Sequence, residues 1–146
     1  MTHRSQVQLL LHGAIVLFVG LLCGIPFALA AGNAWGEEAV RAWRVAHTGG
    51  AAVGLMLIVI GAVLHRLLLG DRAGAILVWS LVASAYSFTA GVLVAATAGV
   101  RGLQAGGPAL NRVVFAAYTV GTAGALLGVA LLVAGAAAAL RAARTG

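Results

Sequence analysis

Lysine is absent from this chain and carboxylates are scarce: Glu37, Glu38 and Asp71 stand against nine arginines. Charged residues make up 8% of the sequence. Soluble domains carry close to a quarter, so a water-exposed globular surface is excluded. A lone cysteine, Cys23, rules out an intrachain disulfide and a thiolate zinc cluster, and reads as a small buried hydrophobe. What remains is apolar: 62% of the 146 residues are hydrophobic, and mean hydropathy is +1.07. The net charge of +6 comes from arginines at the ends of apolar runs, which marks membrane flanking and no nucleic-acid partner.

A spanning helix needs about 20 apolar residues, and four such runs fit, at about 7–31, 39–69, 75–100 and 112–140. The predicted fold is all-α: one integral-membrane domain over 1–146, an antiparallel four-helix bundle in contact with lipid. Pro26 should kink or unwind the end of the first run. Arg4, the apolar stretch and Ala28-Leu29-Ala30 imitate a signal peptide, but the stretch is too long, so it reads as a retained helix. Glu37 and Glu38 suit the positive end of the second helix, and Glu37 can pair with Arg41. Asp71–Gly74 reads as a tight connection, and Arg101–Asn111, rich in glycine, as a loop able to fold over something. Arg4, Arg66, Arg72, Arg141 and Arg144 face the other four arginines across the membrane, favouring cytoplasmic termini in a bacterial cytoplasmic membrane.

His47, in Trp43-Arg44-Val45-Ala46-His47-Thr48-Gly49-Gly50, lies just inside the second helix. Imidazole inside a bilayer needs a partner. Two uses fit: a hydrogen bond to a neighbouring helix, or ligation of a metal or haem. Gly50 and Gly54 share its face, offering either close helix packing or a flat seat for a planar macrocycle. Arg44, with Arg41, Arg101 and Arg112, can bind carboxylates or simply lipid phosphate. His65 lies five turns from His47, about 27 Å along the axis, and cannot share a ligand with it. His12 lies on the side of His65, so a bis-histidine haem there is one arrangement, solvated imidazoles the plainer one. Tyr86 and Tyr118 are packing residues or hydroxyl donors.

Four short helices, His12-Gly13 opening the first, Trp43-x-x-x-His47-Thr48-Gly49 opening the second, and Arg101-Gly102-Leu103 ahead of Gly-Pro together resemble the styrene oxide isomerase family. The resemblance implies a homotrimer with haem b at subunit interfaces and His47 as axial iron ligand. Ferric iron would then act as a Lewis acid that isomerises a small apolar epoxide to an aldehyde. Of the cofactor-binding candidates, His47 is the one the resemblance supplies; Arg44, Gly50, Gly54 and Arg101 join it from the reading of charge and helix face above. Three polar positions of the family fall on Val53, Val92 and Ser84, which leaves Tyr86 or Tyr118 as stand-in donors. Other classes fit the residues too: a haem module for electron transfer, with His12 as a second ligand at the wrong depth; a gas sensor; or a cofactor-free structural membrane protein.

Overall fold

The computed structural model describes residues 3–33 and 35–145. The helical segments are α1 (His3–Leu22), α2 (Gly24–Gly32), α3 (Glu37–Val63), α4 (Asp71–Ala98) and α5 (Ala109–Thr145), with a 3-10 turn at Leu64–Arg66 between α3 and α4. There is no strand among the described residues. Grouped as His3–Gly32, Glu37–Arg66, Asp71–Ala98 and Ala109–Arg144, they form four helices long and apolar enough to cross a membrane. This is an all-α integral membrane protein.

Proline explains the break between α1 and α2. Pro26 has no N–H for the carbonyl four residues back, at Leu22, and the ladder opens at Cys23 before α2 resumes. The second connection differs from the sequence expectation. Asp71–Gly74 is the first turn of α4, where Asp71 meets the helix dipole, and the Gly74 N–H donates to the Gly70 carbonyl at 2.9 Å. The chain turns earlier, through Leu67–Gly70, with Leu67 extended and the Leu68 N–H donating to the Gly135 carbonyl at 3.2 Å.

The helices pair as α1 on α3 and α4 on α5, and the pairs meet through α3, α1 and α4. Leu9, Val16, Leu57, Leu64, Leu77, Val78 and Leu81 form the buried centre. The α5 helix packs along α4 and has no other extensive helix partner, so the bundle is open on that side.

Small residues set the closest approaches. A Cβ on Gly50 would lie 2.8 Å from the Gly20 Cα, and one on Gly54 would lie 2.4 Å from the Leu17 nitrogen. Lipid gives helices no hydrophobic reason to associate, so backbone-to-backbone packing of this kind carries the α1–α3 pair. The face of Gly50 and Gly54 is therefore covered by α1, the close-packing arrangement of the two that the sequence leaves open. On the other pair, the buried Ser84 Oγ donates to the Gly121 carbonyl at 2.7 Å and holds α4 to α5.

Candidate functional site

His47 projects from α3 towards the break between α1 and α2. Its Nδ1 lies 2.9 Å from the Gly20 carbonyl oxygen, an acceptor, so Nδ1 carries the proton. The Phe27 ring runs nearly parallel to the imidazole, 17° apart with centroids at 6.2 Å. Gly24 leaves the ring room: a Cβ there would stand 3.2 Å from the imidazole Cε1 and Nδ1. Among the described residues Nε2 has no hydrogen-bond partner, and none of their unpartnered side-chain polar atoms is occluded, so Nε2 is accessible. One nitrogen anchored to a backbone carbonyl and the other left as a bare lone pair is how proteins orient a ligating histidine. The Pro26 break thus positions α2 beside the ring that the sequence singled out.

Arg44, one turn before His47, lines a shallow groove with Ala30, Ala31, Glu37 and Val40 on the same side of α3. A guanidinium there fits a carboxylate held close to the imidazole. Arg101 lies elsewhere. It pairs with Glu38 across 63 residues of sequence, pinning the α4–α5 loop to α3. Among the described residues that is the ion pair Glu38 makes, and the expected Glu37–Arg41 pair does not form.

The loop itself is organised by Asn111, which sequence reading passed over. Its Oδ1 accepts the Gly102 N–H at 2.8 Å, and its Nδ2 donates to the Gln104 and Gly106 carbonyls at 2.9 and 2.7 Å. Gly102 sits at φ +63°, with Val114 packed where a Cβ would go, so only glycine fits. Three bonds from one amide stand in for regular structure. Asn111→Ala should lower stability by about 2 kcal/mol. Thermal unfolding in detergent, with limited proteolysis at the loop, checks this.

Under the loop, α3, α4 and α5 border a half-open cavity of about 550 Å³. Val45, Val92, Ala95, Ala96 and Val100 wall it; Trp35, Glu38, Arg41 and Arg101 ring its mouth; Tyr118 lies at its base. The structure separates the two tyrosines. The Tyr86 hydroxyl and His12 Nδ1 are 3.0 Å apart, on the face where α1 meets α4, with Trp79 nearby. Tyr86 does not line the cavity, whereas Tyr118 does, and its hydroxyl has no hydrogen-bond partner among the described residues. Ser84 is committed to the Gly121 carbonyl and is out of reach of any ligand. His65 pairs with Gln6 at 3.2 Å, so His12 and His65 turn to different partners and do not face one another.

Val45 and His47 are two residues apart on α3, about 200° around the helix axis, so the cavity and the imidazole open on different sides of one protomer. The described residues hold no cluster of three or more His, Cys, Asp or Glu side chains placed to hold a metal ion. These features define a small polytopic helical membrane protein with an imidazole anchored on a backbone carbonyl inside the bundle. The model of the styrene oxide isomerase family matches residues 5–137, nearly the whole chain, and the protein belongs to that family. No curated relative matches it.

Proposed function

We propose that the protein is a haem b-dependent isomerase of epoxides to aldehydes, working as a homotrimer in which His47 would hold the haem iron. The observation that carries this is the imidazole: Nδ1 anchored on Gly20, Nε2 bare and accessible, in a chain of the styrene oxide isomerase family. Ferric haem, when bound, supplies a Lewis-acidic iron with one open position. The protein's own residues do the rest. The Gly20 carbonyl holds the tautomer that leaves Nε2 free, and Phe27 and Gly24 hold the ring plane. Arg44, in the groove beside α3, would pair with a carboxylate of the haem. Tyr118 donates its hydroxyl proton in a hydrogen bond to the substrate oxygen, and the apolar walls exclude water that would hydrolyse the epoxide. Because the cavity and His47 open on different sides of α3, the reading requires a neighbouring copy to bring them together.

The test is turnover. Haem-loaded protein in detergent, given an aryl epoxide, should form the aldehyde, and the epoxide should shift the Soret band. Tyr118→Phe should lower kcat by about 100-fold, the cost of one lost donor at a developing oxyanion. Tyr86→Phe, outside the cavity, should act only through stability. A six-coordinate spectrum with two protein ligands and no aldehyde would replace this reading with the electron carrier. A colourless protein from haem-replete cells would replace it with the structural one.

A further inference from the structure

We infer that the cavity takes an amphiphile with one carboxylate at its head and, resting on the isomerase reading above, that the substrate is an epoxide at the far end of such a chain. The mouth carries Arg41, Arg101 and Glu38, a sum of one positive charge. Glu38 is engaged with Arg101, while Arg41 has no partner among the described residues. A single carboxylate would leave the mouth neutral, and guanidinium is the side chain that best fits a carboxylate.

Below the mouth the walls change to Val45, Val92 and Ala95, surfaces that fit hydrocarbon and nothing polar. Glu38 to Val45 on α3, and Gly99 to Val92 on α4, are both seven residues, so the apolar shaft is about 10 Å deep. Tyr118 at its base is the one hydroxyl of the lining, and it is unpartnered. The hydroxyl is half-buried and free to donate, so the base suits a ligand oxygen. A charged head, an apolar body and a neutral oxygen at the far end are thus specified by three layers of the same cavity. Its volume lies in the range that encloses ligands of that size.

The probe is the terminal epoxide of undecanoic acid, compared with its methyl ester by calorimetry on haem-loaded protein in micelles doped with phosphatidylglycerol. The acid should bind at least about ten-fold more tightly than the ester, the worth of one charge-assisted contact. Arg41→Gln should erase that difference, and Arg112→Gln, at the same membrane face but outside the cavity, should preserve it. Ala95→Phe, which narrows the shaft, should weaken acid and ester alike. Equal affinity of acid and ester, or a preference that survives Arg41→Gln, overturns the inference. So does displacement of the acid by phosphatidylglycerol, which would give the mouth to lipid phosphate. Acid binding that appears only in haem-free protein would assign the cavity to the macrocycle and overturn it as well. Turnover separates the two readings. A bound acid that yields no aldehyde sinks the isomerase reading and leaves the carboxylate site standing. Ester and neutral epoxide turned over as fast as the acid sink this inference and leave the isomerase standing.

Discussion

Exchange of His47 for glycine is expected to strip haem from the protein, and added imidazole is expected to restore it. Loss of a residue that merely supports a ligand weakens metal binding by about 10–100-fold, and loss of the ligand itself exceeds that. Haem titration followed at the Soret band, wild type beside His47→Gly, gives the measurement. Rescue by imidazole matters because it separates ligation from folding. Were His47 only a hydrogen-bonded core residue, its removal would forfeit the bond to Gly20, about 1 kcal/mol of stability, and imidazole would change no spectrum. Undiminished haem in the glycine variant would place the ligand elsewhere.

The second large effect concerns two glycines that look alike in sequence and differ in surroundings. A Cβ on Gly20 would lie 2.4 Å from the Ala51 nitrogen and 2.6 Å from the Gly50 carbonyl carbon, both backbone atoms that no rotamer change can move. Gly20→Ala must therefore push α1 off α3, at about 3 kcal/mol, the upper part of the usual range for overpacking. It would also displace the carbonyl that orients His47, so haem affinity should fall with stability. Gly49, mid-helix in α3, has nothing within 4 Å of the same position. Gly49→Ala should leave the protomer unchanged or up to about 1 kcal/mol more stable, from the helix propensity of alanine. Thermal melts of the two variants in one detergent decide the matter, and equal melts would refute the close α1–α3 packing.

Hydropathy and arginine placement made the four spans legible, because twenty apolar residues have no other stable use. The spacing of Gly50 and Gly54 announced a close approach of helices, but one face of one helix does not say what covers it. Helix 1 covers it, which the spacing alone left open between packing and a cofactor seat. His47 stood out since imidazole in a bilayer demands a partner; that Gly20 would be the acceptor depends on how α1 lies across α3. Glu38 was read as a helix-dipole residue, and its pairing with Arg101 joins two segments that no local pattern links. The scarcity of carboxylates was the available signal: with only three in the chain, each is a candidate for a specific partner. Asn111 gave a weaker one, a side chain with both donor and acceptor closing a loop rich in glycine.

The attachment of α5 to α4 alone bears on how the molecule is made. As the chain leaves the ribosome, everything that orients His47 (Gly20, Gly24, Phe27 and the α1–α3 seam) is present before α5 is synthesised. The base of the cavity is not, since Tyr118 arrives with the last span, as does Asn111, which ties down the loop above it. The imidazole half of the molecule is thus complete early in biogenesis, and the half that encloses a ligand is closed only by the final insertion.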